Sequence, residues 1–177
     1  KELTRETVDP RYTWDLTRIY ASDEAWEKAI VTIKAQADAF AQRAGTLNKG
    51  RESILETLAA MAKMDEEFEA LYAYAMMKNN EDSTNAKYQA MSDRAGTLAG
   101  VVAAASAFME PELLALPEGE VESMIADPAF EKYDRYLSGV LRMKAHTLTA
   151  NEEKLMAMAS DACNAASNAY EMLSYAD

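Results

Sequence analysis

Hydrolytic zinc chemistry on a helix needs two histidines one turn apart and a carboxylate to activate water. This chain of 177 residues has a single histidine, His146, so such a site cannot be assembled from it. The same count excludes a carboxylate-bridged di-iron bundle, which takes two Glu-x-x-His pairs, and a zinc site of clustered cysteines and histidines. Cys163 is the only thiol. It lies among small residues, where a cysteine is more often an inert buried hydrophobe than a nucleophile. Asp65-Glu66-Glu67 with Glu69 is the one concentration of acids that could be imagined as a working pair. No basic or apolar neighbour marks it out, so a solvated charge cluster on one helix face is the expectation. The inventory therefore assigns no catalytic, cofactor-binding or metal-binding residue to this chain.

What remains are groups that bind rather than react. Thioethers fill irregular cores and also line surfaces that accept varied peptides. Of the eleven methionines, Met61, Met76, Met91 and Met158 fall on apolar stripes, which leaves Met64, Met77 and Met143 as candidates for an exposed surface. Tyr72, Tyr74, Tyr133 and Tyr136 are expected to pack their rings and hold their hydroxyls at the rim, with a substrate-facing role as the alternative. Arg142 and His146 have two readings as well. They either touch a bound peptide or bond loop carbonyls and the end of the preceding helix, where cations are favoured. Tyr72, Tyr133, Tyr136, Arg142 and His146 are the candidate substrate contacts.

Helices must position these groups. Ala, Leu and Met dominate the apolar content, and alternating β-branched or aromatic runs are sparse, which predicts an all-α chain. Residues 1–21 read as an irregular lead-in. Residues 22–110 carry three long helices. The first is capped by Ser22 or Asp23, carries Trp26, Ile30, Ile33, Ala37 and Phe40 at three-four spacing, and ends at Gly45. The second runs from near Arg51 to Asn79-Asn80, and the third from near Asp82 to Thr84 until Pro111 ends or redirects it. Pro111, Pro117 and Pro128 each predict a helix start across residues 111–148, with Asp127-Pro128 as cap and first position. Thr149 to Glu152 forms a capping box for a last helix over 149–177. Together these predict one helical domain, 1–177, of long antiparallel helices in a bundle-like array. The string Arg-Ala-Gly-Thr-Leu occurs at 43–47 and at 94–98, but the flanks differ and no fixed repeat period follows.

Thirty acidic residues against eighteen basic ones and no basic patch argue against nucleic acid and anionic lipid as partners. No uninterrupted run of eighteen apolar residues is present, and Leu98 to Met109 is too short to span a bilayer. A lone cysteine lacks the signature of an oxidising compartment, so a soluble, cytoplasmic protein is expected. The chain opens at Lys1 without a leader and stops inside a helical pattern at Asp177, which reads as an excised piece.

Several segments, in order, resemble one family. Trp14-Asp15-Leu16-Thr17-Arg18-Ile19-Tyr20 followed by Trp26 is similar to the start of oligoendopeptidase F chains. Glu69 to Ala75, Tyr88-Gln89-Ala90, Pro111-Glu112-Leu113-Leu114 and Tyr133-Asp134-Arg135-Tyr136-Leu137 continue the likeness. Arg142-Met143-Lys144-Ala145-His146-Thr147-Leu148-Thr149, with Glu152-Glu153, resembles the family's Arg-x-Lys-x-His-Thr-Leu-Ser stretch. The resemblance spans nearly all of the chain. It implies the amino-terminal part of a larger helical M3-type peptidase fold, in a cytoplasmic zinc metallopeptidase that cleaves short peptides. The zinc and its His-Glu-x-x-His helix would belong to the remaining catalytic domain of the same polypeptide. This chain would wall the channel that admits oligopeptide substrates, without catalytic activity of its own. An autonomous helical module that grips a protein or peptide partner is the alternative.

Overall fold

The computed structural model describes residues 7–144 and 170. Among them every regular element is helical. Two short 3-10 turns, Pro10–Tyr12 and Leu16–Arg18, lead into α1 (Asp23–Ala41), followed by α2 (Arg51–Glu81) and α3 (Ala86–Ser106). Two single-turn helices, α4 (Met109–Leu114) and α5 (Glu120–Ile125), precede α6 (Asp134–Met143). The final helix expected over 149–177, with Met158 and Cys163, lies outside the described residues, as does His146.

Helix starts follow the side chains that can take an orphan amide. Ser22 caps α1 by accepting from the Ala25 amide, as its position predicts. Three boundaries move from where the sequence places them. The third helix begins at Ala86, because the Asn85 side chain accepts from the Lys87 amide at 3.0 Å. Asp82 instead closes its own turn onto Thr84. That helix ends at Ser106, before Pro111, which occupies the third position of α4. A proline is tolerated there because first-turn amides have no partner within the helix. Pro117 precedes α5 by a turn, its carbonyl accepting from Glu120 at 3.0 Å, and Gly119 at φ 82° caps the helix. Asp127-Pro128 does cap a helix, but a 3-10 one, Pro128–Tyr133.

Contacts fix the topology. Trp26 Nε1 donates to the Leu71 carbonyl at 2.9 Å and Gln36 Nε2 to Glu67 at 2.8 Å, so α1 and α2 run antiparallel. Glu27 meets Arg94 and Phe40 packs on Phe108, ring centroids 5.5 Å apart, so α1 and α3 run parallel. Trp26, in the first turn of α1, is fully buried beneath the Arg94 guanidinium, 5.3 Å from its ring. Leu58, Leu71, Ala75, Met91, Ala95 and Leu98 extend this core between α2 and α3, and Leu113, Met124, Phe130 and Leu137 extend it under α4 to α6. The smaller layer is latched in two places. Glu112 accepts from the amides of Gly45 at 2.5 Å and Leu47 at 3.3 Å, while Arg51 pairs with Glu120 at 2.8 Å and Asp127 at 3.2 Å.

Two expectations from composition change. Met64, expected as an exposed thioether, is only 2% exposed, because it lies on the flank of α2 that faces the core. Met77 is half-buried against that core, and Met143 is exposed. The segment Ala86–Leu114 is also long and apolar enough, by length and composition only, to cross a membrane, with 28% of its apolar window buried. An averaged hydropathy tolerates the scattered Gly, Ser and Thr that interrupt a strict apolar run.

Replacing Trp26 with Ala removes a fully buried ring and leaves a cavity, with an expected cost of about 3–5 kcal/mol in urea unfolding. Glu112→Ala frees two amides at the α1–α2 turn and is expected to cost about 1–2 kcal/mol, read as a lower denaturation midpoint at unchanged slope.

Candidate functional site

The candidate contact residues fall at different places on the smaller layer and the adjoining flank of α2. Tyr136, on α6, is half-buried against the core. Burial pushes its hydroxyl up to about 12, assisted by the carboxylates of Glu110 on α4 and Asp65 on α2. The phenol thus lies within electrostatic reach of carboxylates on two other helices. Tyr72 stands two turns beyond Asp65 on the same flank of α2, its ring 5.9 Å from that of Phe68. Tyr133 is half-buried at the start of α6, and Arg142 is exposed in its last turn. Helix dipoles favour a cation at that position.

The acid cluster does not form one solvated face. Consecutive helical residues point about 100° apart, so its members separate. Asp65 turns partly inward, and burial, then Glu69, raises its carboxyl above the usual range. Glu66 is exposed, and Glu67 reaches α1 through Gln36. The sequence did carry one signal for this flank, since Asp65, Phe68 and Tyr72 recur at three-four spacing beside the apolar stripe. Glu110 gave no such signal.

A second polar assembly lies at the other end of the long helices. Tyr74 is buried and donates to Asp23 Oδ1 at 2.7 Å, while Lys87 reaches Oδ2. Burial raises the Asp23 carboxyl, but the bonds from Lys87 and Tyr74 outweigh it and hold the group below its ordinary value. Lys78 lies over the rings of Tyr74 and Tyr88, 5.7 and 5.3 Å from their centroids. Asp23, Tyr74 and Lys78 border a cavity of about 570 Å³ that also reaches Trp14 and Leu16. Sequence reasoning missed it, because residues 14–24 and 74–81 meet only once the helices pair.

Among the described residues no group of three or more His, Cys, Asp or Glu is placed to hold a metal ion. Nor is a nucleophile set beside a general base in either assembly. The arrangement offers phenols, carboxylates and apolar flanks, which are groups that hold and orient.

Comparison with known proteins identifies the lineage. The model of the M3 peptidase amino-terminal domain, described as Oligopeptidase F, matches residues 112–177. Group B oligopeptidase PepB of Streptococcus agalactiae is 36% identical over 98% of the chain, and oligopeptidase PepF of Bacillus subtilis 32% over 98%. A crystal structure of oligoendopeptidase-F from Enterococcus faecium superposes with a TM-score of 0.70 and 29% identity, over 88% of this chain and 31% of that one. The chain belongs to the oligoendopeptidase F family. It spans 29% of the length of PepB and 26% of that of PepF.

The all-α reading and the family resemblance both hold, for the solved relatives are helical M3-type peptidases in this region. The segments that carry the resemblance are spread through the fold: the Trp14-Asp15-Leu16 turn, α2 from Glu69 to Ala75, the start of α3, the last four residues of α4 and the start of α6. A zinc-peptidase site does not fit this part of an oligoendopeptidase F, since a single histidine cannot supply the two imidazole ligands such a site takes.

The Tyr136 hydroxyl is the most readily tested group here. Its raised value means that the fold favours the neutral phenol. The stability it contributes is therefore fully present below the ordinary value of about 10 and is lost as pH rises through about 12. Asp65→Asn is expected to lower the Tyr136 value in a titration followed by NMR of labelled tyrosine. The value should remain above the ordinary one, because burial is the larger cause.

Proposed function

We propose that this chain is a single helical domain, residues 1–177, that walls the substrate channel of a zinc-dependent oligoendopeptidase without taking part in the bond-breaking step. The observation that carries this reading is a conjunction. The chain matches an oligoendopeptidase-F structure over 88% of its length, yet its single histidine leaves it without a hydrolytic metal site. The metal ligands and the catalytic glutamate would then lie in the remaining catalytic domain of the same polypeptide, in a cytoplasmic enzyme acting on oligopeptides.

Rigid helices suit a wall. A channel that selects by size must resist deformation, and α2, held by both helical layers, is about 45 Å of continuous helix. Its flank presents Tyr72, and the adjoining layer presents Tyr133, Tyr136 and Arg142. Phenols and a guanidinium recognise the carbonyls and the terminal carboxylate of an extended peptide without depending on its side chains. His146, the remaining candidate contact, lies outside the described residues.

The complete polypeptide containing this chain is expected to cleave short peptides and not folded proteins, and to lose that activity to a chelator. The 177-residue chain alone should cleave nothing. Arg142→Ala and Tyr136→Phe in the complete enzyme should raise KM several-fold with little change in kcat. Peptide hydrolysis by the isolated chain, or a complete polypeptide indifferent to chelation, would overturn the reading.

A further inference from the structure

The segment Trp14-Asp15-Leu16 is among the features that carry the family likeness, yet nothing in a channel wall uses it. Leu16 is buried and anchors the turn, with Asp15 capping it by accepting from the Thr17 amide at 3.2 Å. Trp14, in contrast, is 75% exposed, and Tyr12 beside it 79%. Trp26 shows what the same side chain does when it has a partner: it is fully buried. An indole held out to solvent by an anchored turn leaves most of its apolar surface unused.

That indole borders the 570 Å³ cavity beneath the amino-terminal end of α1. The cavity is charged as well as apolar. Asp15, Asp23, Glu24 and Glu81 line it, against the cation Lys78. Lys78 already pairs with Glu81 at 3.9 Å and lies over Tyr74. Arg18 pairs with Asp15 at 3.5 Å and Lys87 with Asp23, so the four acids face three cations in all, and the exposed Glu24 leaves the mouth with a small negative excess. A complementary occupant brings an apolar surface to cover the Trp14 ring together with a Lys or Arg side chain for the cavity, a cation over indole being favourable in itself.

We propose that Trp14 and the acidic cavity behind it form a docking surface for the part of the peptidase polypeptide outside this chain, which enters with a basic side chain. This rests on the reading of the chain as one domain of a longer enzyme. The chain spans 29% of the length of PepB while PepB matches 98% of the chain. Most of such a polypeptide is thus available to cover a surface that the described residues leave open.

Hydroxyl-radical footprinting with mass spectrometry tests the proposal without altering the protein. Trp14 is expected to oxidise readily in the 177-residue chain and several-fold more slowly in the complete polypeptide, while Trp26 stays protected in both. Equal oxidation of Trp14 in the two samples overturns the docking surface, and a complete polypeptide that still cleaves peptides shows that the channel-wall reading survives. Protection of Trp14 in an inactive complete polypeptide supports the docking surface and sinks the enzymatic reading instead. Protection that grows with concentration in the 177-residue chain alone assigns the surface to a second copy and overturns the proposal. As a second measurement, Asp15→Asn with Glu24→Gln in the complete polypeptide should raise Trp14 oxidation several-fold, and no change would count against a basic occupant.

Discussion

Trp26 lies where three long helices meet, and its indole N–H cannot be left without an acceptor in an apolar interior. It takes the Leu71 carbonyl of α2, while Arg94 of α3 covers the ring and is itself held by both carboxylate oxygens of Glu27 at 2.6 and 2.7 Å. One side chain thereby sets the register of α1 against both partners. Register set near the start of α1 propagates along stiff rods. At one end it places Asp23 between Tyr74 and Lys87, and at the other it places Phe40 against Phe108.

The smaller layer depends on that frame in a different way, through polar latches as well as a shared core. Glu112 holds the turn between α1 and α2, and Arg51 holds α5 and the start of the following 3-10 helix. These attachments fix α4 and α6 beside the free flank of α2. There a phenol and two carboxylates from three separate helices come close enough to influence one another. The same layer carries the surface proposed to face a peptide, so the wall and the core share their supports.

The helical character, the Ser22 cap and the Asp127 cap were all legible in the chain, because each depends on neighbours a few residues away. Less legible were features that depend on what lies across a helix. Met64 looked like a surface thioether and is core, since its flank of α2 is covered. Asp65 to Glu69 looked like one solvated cluster and divides between a half-buried flank, solvent and the α1 interface. Pro111 looked like a terminator, although the helix before it had already ended at Ser106.

Arg-Ala-Gly-Thr-Leu marks the boundary between the two kinds of information. At 43–47 the string leaves a helix, with Gly45 left-handed at φ 79°. At 94–98 it lies within α3 as ordinary helix. Glycine permits both conformations, so local chemistry does not choose between them. The choice follows from Glu112, whose carboxylate, more than sixty residues away, accepts from the amides of Gly45 and Leu47 in the open turn. The sequence by itself determined what kinds of side chain this protein has, and so that one histidine could never hold a hydrolytic zinc ion. Tertiary structure alone decided which tyrosines, carboxylates and tryptophans share a surface, because separation along a chain does not determine distance once helices pair.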